Sequence, residues 1–232
     1  MLTAPSVVVF DVNETLSDMA AVGQRFADVG ATEQLAKTWF ASLLRDGFAL
    51  TAAGGQARFA VLGRGVLRTV LHPLFESGQL DRPIEEAIEH VMAGFAGLPV
   101  HSDVPDGVRA LRRVGLRLVT LTNGATMVPQ QLFERAGIVD EFERLMSVDD
   151  AGVWKPARGA YEYAARTCGV AVGEMLLVAV HPWDIDGAAR AGMRTAWIDR
   201  SGDPYPDYFT RPEITASSIV DLAAQLADDD KR

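Results

Sequence analysis

The sequence predicts an α/β fold, a doubly wound parallel sheet with a block of helices inserted directly after its first strand. Three observations lead there. Short apolar runs rich in β-branched residues, Ser6–Phe10, Leu116–Leu121 and Met175–Val180, read as strands buried on both faces. Helical stretches alternate with such runs from Val104 onward, and parallel strands joined in this way need right-handed crossovers. Between Leu16 and Gly97 the pattern stays helical, with no strand-like run to interrupt it.

Taken in order, Met19–Val29 reads as a helix stopped at Gly30, and Gln34–Leu44 as another with Leu35, Trp39, Leu43 and Leu44 on one face. Ala57–Leu74 and Ile84–Phe95 complete the inserted block, and Gly97-Leu98-Pro99 marks the return. Val104–Val114 is a helix with Pro105 suited to its first turn. The strand Leu116–Leu121 ends in Thr122-Asn123-Gly124. A helix over Met127–Ala136 stops at Gly137, and Leu145–Val148 is a short strand. Ala157–Thr167 is helical, with Cys168 before a glycine stop. Met175–Val180 then runs into His181-Pro182-Trp183-Asp184. Asp186–Ala191 is a helix, Thr195–Ile198 a strand, Tyr205–Pro212 a proline-bearing loop, and Ile219–Ala227 the last helix. The acidic-basic tail 228–232 is expected to fray. The division expected is therefore a core of residues 1–16 and 98–232 and a helical unit of residues 17–97.

At 232 residues and 48% hydrophobic content, the chain can bury a sizeable core. A net charge of −9 and a pI near 4.9 argue against a general grip on nucleic acid or anionic membranes, and fit a cytoplasmic enzyme. The single cysteine, Cys168, cannot form an internal disulfide and reads as a buried thiol. The first apolar run is too short to span a bilayer.

In a parallel sheet, ligands sit beyond the carboxyl ends of the strands. Asp11 follows one strand, Thr122 and Asn123 another, Asp184 a third, and Lys155 stands between the short strand and a helix. Taken singly, each has a plain structural reading: a cap, a turn, a surface lysine. Taken together, an acid, a hydroxyl and amide, an ammonium and a second acid converge on one edge. An Asp carboxylate so placed can act as a nucleophile.

These residues, in Phe10-Asp11-Val12-Asn13-Glu14-Thr15-Leu16, Leu121-Thr122-Asn123-Gly124, Trp154-Lys155-Pro156 with Tyr161, and Trp183-Asp184-Ile185-Asp186-Gly187-Ala188, make the chain resemble the haloacid dehalogenase (HAD) superfamily, in its 2-haloacid dehalogenase branch. The resemblance implies a Rossmann-like core with a helical cap lying over the active site. It implies that Asp11 displaces halide from a small 2-haloacid, and that water then resolves the resulting ester. Asp184 and Lys155 would position that water and balance charge, Thr15 would orient Asp11, and Thr122 and Asn123 would hold the substrate carboxylate. Tyr161 and Trp183 would shape the site.

The alternative chemistry of the superfamily is Mg²⁺-dependent phosphate ester cleavage, which uses a second Asp two positions after the nucleophile. Here that position is Asn13, which exchanges no proton near neutral pH. His181 stands where an acidic metal ligand is usual and is a poor match for a hard cation. No cofactor is therefore expected. A non-catalytic binding role ranks last, because it needs no intact Asp11, Lys155 and Asp184 set. Two departures touch the dehalogenase pattern. The arginine that assists halide departure aligns with Ala31, leaving Arg45 as the cap arginine that could reach in, and His181 replaces an Asn of the halide site. His181 could bind halide as an imidazolium, act as a base on water, or simply be held by the protein. His72, His90 and His101 read as surface or cap-packing residues. The apolar cap helices could support a homodimer.

Overall fold

A computed structural model of the chain describes residues 5–229. Six strands form one sheet: β1 (Val7–Phe10), β2 (Arg117–Thr122), β3 (Arg144–Ser147), β4 (Met175–Ala179), β5 (Arg194–Ile198) and β6 (Ile214–Ala216). Their order is β3-β2-β1-β4-β5-β6 and every pairing is parallel. This is the doubly wound α/β architecture the sequence predicts. The order reverses at β1, whose partners are β2 on one side and β4 on the other, so the crevice for a ligand opens between the ends of β1 and β4.

The register explains why β1 is apolar at every position. Val8 and Phe10 share a buried cluster with Leu118, Leu176, Val178 and Ala196. That face is covered by α5 (Val104–Arg113), α6 (Met127–Ala136) and α10 (Ile219–Asp229). Side chains alternate along a strand, so Val7 and Val9 point the other way. The elements on that side are α8 (Arg158–Cys168) and α9 (Pro182–Ala191). Both β1 faces are fully buried. Cys168 closes α8 as a buried free thiol, and Gly169 follows in the left-handed conformation at φ 69°.

The inserted block is a compact unit of its own, Asp18–Leu98, while the sheet unit runs to Ser17 and resumes at Pro99. It holds α1 (Ala20–Ala27), α2 (Leu35–Ala52), α3 (Phe59–Glu76) and α4 (Ile84–Ala96), with no strand among its described residues. Trp39 organises it: its ring meets Phe95 edge-on at 5.7 Å, and its indole N–H donates to the Gly63 carbonyl at 3.0 Å. Phe59 stacks on Phe95 at 5.1 Å.

Several boundaries differ from expectation. The helix after Gln34 runs on to Ala52, because the polar Arg45-Asp46 pair lies on its exposed face and does not interrupt its buried one. The one-turn helix α7 (Val148–Ala151) was not anticipated, nor was β6, whose three residues are too short to show alternation. The helix expected from Asp186 starts at Pro182, a residue whose fixed φ suits a first helical position. Asp184 therefore sits inside the first turn of α9, not at a cap. Helix α10 continues past Ala227 to Asp229, so the frayed tail does not begin at Asp228. Residues 230–232 of that tail lie outside the described residues.

One long-range tie braces the loop after β1. Arg200, just beyond β5, donates to Asp103 Oδ1 at 2.8 Å and to the Thr15 carbonyl at 2.9 Å. Asp103 Oδ2 also accepts the first backbone N–H of α10, from Ile219, at 2.7 Å. Burial alone would raise the Asp103 pKa, but the guanidinium and the Ile219 N–H hold it below the usual carboxylate value. Asp103→Ala is expected to lower unfolding free energy by about 1–2 kcal/mol, since it strands both Arg200 and a helix N–H. The urea midpoint, at unchanged m-value, is the measurement that checks this.

Candidate active site

The backbone of β1 delivers Asp11 to the sheet edge, where its N–H still bonds to the Val178 carbonyl at 3.0 Å. The chain then turns back sharply, with the Leu16 and Ser17 N–H groups both donating to the Val12 carbonyl. That turn lays Thr15 against its own strand end, so that Thr15 Oγ1 donates to Asp11 Oδ2 at 2.7 Å. The same hydroxyl accepts the Val180 N–H at 3.1 Å, tying the β1 loop to the end of β4.

Lys155 is fully buried and lies between two carboxylates. Its Nζ donates to Asp11 Oδ1 at 2.9 Å and to Asp184 Oδ2 at 2.6 Å. Asn123 sets the height of this lysine: its Oδ1 accepts the Lys155 N–H at 2.9 Å and its Nδ2 donates to the Lys155 carbonyl at 3.3 Å. One hydrogen of that amide is left for another acceptor. Thr122 accepts the Gly124 N–H at 3.0 Å, and among the described residues its own hydroxyl hydrogen donates to nothing. Tyr161 donates to Asp184 Oδ1 at 2.6 Å and so holds the acid. Helix α9 approaches this close because residue 187 is glycine. A Cβ there would lie 2.5 Å from Pro156 Cβ and 2.7 Å from the Tyr161 hydroxyl.

His181, the residue before α9, completes the group. Its Nδ1 faces Asp11 Oδ2 at 3.1 Å and its Nε2 faces Glu14 Oε2 at 2.8 Å. The Trp183 ring stacks on the imidazole at 4.9 Å, and its centroid is 6.0 Å from the Lys155 ammonium. Asn13 is buried beside this turn, at 7% exposure.

Electrostatics follow from burial set against neighbours. Burial would raise the Asp11 pKa, yet the Lys155 ammonium and the His181 ring hold it well below the usual carboxylate value, so Asp11 stays ionised. For Lys155, burial opposes the charge and the two carboxylates more than restore it, leaving its pKa raised. Asp184 goes the other way: burial and the nearby Asp11 charge raise its pKa, against the pull of Lys155. Burial and the Asp184 charge push the Tyr161 phenol well up, keeping it a neutral donor. The His181 pKa, which burial alone would lower, is raised to about 9 by Asp11 and Glu14.

All ten residues singled out in the sequence lie in the sheet unit. Asp11, Thr15, Lys155, Asp184, Tyr161, His181 and Asn123 belong to one connected hydrogen-bond network, Trp183 stacks against it, and Thr122 and Asn13 stand beside it. Arg45 is exposed and paired with Asp46 at 2.8 Å. Ala31 caps the turn after α1 through its N–H on the Phe26 carbonyl. His90 packs within the helical unit against Asp28 at 2.9 Å, and His72 is exposed. His101 is a correction: it packs in the sheet unit, its Nε2 2.9 Å from the Glu14 carbonyl oxygen, because Pro99 has already returned the chain to the core. Glu14 joins this network through His181 and is not flagged by local pattern, since that partner lies far along the chain.

The buried ammonium makes a direct prediction. Lys155→Met leaves two buried carboxylates without their cation and should destabilise the fold by about 3–5 kcal/mol. The loss should shrink on acidification, which neutralises the stranded charge. Urea unfolding of both proteins at neutral and acidic pH measures this.

Comparison with known proteins places this geometry. The model of the haloacid dehalogenase-like hydrolase family matches residues 5–192. Haloacetate dehalogenase H-2 of Moraxella sp. (strain B) is 36% identical over 125 residues, which are 53% of this chain and 56% of that protein. In that match the chain spans little more than half of its relative. The (S)-2-haloacid dehalogenase 2 of Pseudomonas sp. (strain CBS-3) is 27% identical over 219 residues, 93% of both chains. The crystal structure of the L-2-haloacid dehalogenase RSc1362 superposes with a TM-score of 0.89 at 28% identity, covering 97% of this chain and all of the other (100%).

Proposed function

The chain belongs to the haloacid dehalogenase-like hydrolase family, and from that premise we propose that it is a 2-haloacid dehalogenase working through an ester on Asp11. The observation that carries the reading is the state of Asp11. It is nearly buried, ionised, oriented by Thr15 at 2.7 Å, and faced by an ammonium at 2.9 Å. A desolvated carboxylate held in this way is a nucleophile ready for an in-line displacement. Halide leaves with its bonding electron pair and needs no proton, so an amide at Asn13 costs this reaction nothing. Phosphate ester cleavage would need a proton delivered to the leaving oxygen, and Asn13 cannot supply it.

Water then attacks the Asp11 carbonyl carbon. Asp184, whose pKa is raised, is suited to take its proton while Lys155 and Tyr161 fix the acid in place. The site residues do not fit Mg²⁺ well. Asp11 and Asp184 already accept from Lys155, and the imidazole of His181 stands where a hard cation would want a carboxylate. The ammonium supplies the positive charge that a metal supplies elsewhere.

The substrate class follows from both the relatives and the site. The relatives named above act on haloacetate or (S)-2-haloacids, all small halogenated carboxylates. The Thr122 hydroxyl and the remaining Asn123 amide hydrogen are donors suited to a carboxylate. Trp183 offers an apolar wall. We assign no halide contact to Arg45, which is paired with Asp46. Residues 17–97 are read as the cap of this hydrolase, and a cytoplasmic homodimer acting on a small acid is its expected setting.

The decisive measurement is halide release from (S)-2-chloropropionate and from fluoroacetate in the presence of EDTA. Sustained turnover is expected, and Asp11→Asn should reduce it by at least about 10³-fold while leaving thermal unfolding cooperative. Turnover that needs added Mg²⁺, or an undiminished rate in Asp11→Asn, would overturn the assignment.

A further inference from the structure

We propose that His181, kept as an imidazolium by Glu14, is the oxyanion donor for ester hydrolysis, and that its contact with Asp11 selects the oxygen that attacks. This rests on the dehalogenase reading and adds one catalytic residue role and one positioning residue to it.

The argument starts from a count of lone pairs. Each oxygen of an ionised carboxylate accepts about two hydrogen bonds. Asp11 Oδ2 already accepts two, from Thr15 at 2.7 Å and from His181 at 3.1 Å. Oδ1 accepts only from Lys155 among the described residues, at 2.9 Å, so it alone keeps a lone pair to share with carbon. Oδ1 therefore forms the C–O bond as the C–halogen bond breaks, and Oδ2 becomes the ester carbonyl. When water adds to the carbonyl carbon, one of its protons passes to Asp184 and the C=O electron pair moves onto Oδ2. Thr15 and His181 already aim their hydrogens there, which is the arrangement that stabilises an oxyanion. Collapse re-forms the carbonyl and breaks the bond to Oδ1. The hydroxy acid departs with the Asp184 proton, and the second water proton goes to solvent as the carboxylate returns.

Glu14 explains how the ring stays charged through this sequence. Both ring nitrogens face carboxylate oxygens, at 3.1 and 2.8 Å, and an ionised carboxylate can only accept. The ring must donate from both. Once Asp11 is esterified it loses its charge, and an imidazole paired with Asp11 alone would then shed its proton before the oxyanion forms. Glu14 remains as counter-ion. Among the groups that bear on the ring are Asp11 and Glu14 after β1, with Lys155 before α8 and Asp184 one turn along α9 joined to the same carboxylate network.

A second observation points the same way. Glu14 is the one described non-glycine residue with positive φ, 61°, in the region where a side chain is strained. The chain holds it there with His101 on its carbonyl at 2.9 Å and Ser17 Oγ accepting its N–H at 3.3 Å. A glycine would suit that backbone better, so the strain serves the carboxylate.

The test uses rapid mixing of the full-length protein with (S)-2-chloropropionate, following halide and the mass of the protein together. Glu14→Gly, which suits the backbone, and Glu14→Gln, which keeps the size, are compared with wild type and with His181→Gln. In each variant ester breakdown should be slowed by about 10–100-fold relative to halide release, so that the ester accumulates. In wild type, the alkaline limb of ester breakdown should lie above ordinary imidazole, and in Glu14→Gln it should fall by more than about one pH unit, toward ordinary imidazole. A slowed halide burst with no accumulated ester, or an unmoved alkaline limb, would overturn the proposal. A wild-type protein that releases no halide would instead overturn the dehalogenase reading. The ring titration of His181, followed by ¹⁵N resonance without substrate, separates the two: an ordinary value near 6.5 sinks the charged pair whatever the substrate.

Discussion

Everything at this site depends on one buried ammonium shared by two carboxylates. Lys155 lies at 0% exposure between Asp11 and Asp184, and none of the three charges could be buried without the others. Attraction alone does not repay the desolvation of three ions; the remaining lone pairs and hydrogens must also find partners. They do: Thr15 and His181 complete Asp11, Tyr161 completes Asp184, and Asn123 grips the Lys155 peptide on both sides. The missing side chain at Gly187 allows α9 to come near enough for the Tyr161 bond. Preorganisation here is a consequence of having to satisfy every buried polar group.

The sheet supplies the other half of the explanation. Strand order reverses at β1, so the loops after β1 and β4 diverge and leave a crevice between them. Asp11 follows the first strand and His181 and Asp184 follow the second, while Lys155 arrives from beyond β3. Three segments far apart along the chain thereby meet within hydrogen-bond distance. On one oxygen of Asp11 this arrangement places His181, which in turn faces Glu14.

Much of this was legible before any coordinates. Asp11, Lys155 and Asp184 stand out because each is a charged residue next to a buried apolar run, and parallel topology requires such ends to share an edge. The Gly-stopped helices and the long helical insertion were equally readable from periodicity. Less legible were interactions with no local signature. Arg200 reaches Asp103 and the Thr15 carbonyl across 97 and 185 residues of chain. His101 reads in sequence as a surface or cap-packing residue because it stands beside the insertion, yet it packs against the Glu14 carbonyl. The start of α9 was misjudged because His181-Pro182-Trp183-Asp184 continues the β4 run without a polar break.

By itself the sequence determined the order and type of the elements, the position of the insertion and the carboxylate-lysine chemistry, since apolar periodicity and strand-end charges are local properties. Tertiary structure alone decided which oxygen of Asp11 faces which donor, that Asn123 spends most of its amide on Lys155, and that Glu14 stands behind His181. Those are matters of distance and direction between side chains on different segments. Hydrogen bonds weaken steeply within an ångström or so, and residue type and spacing along the chain carry no such information.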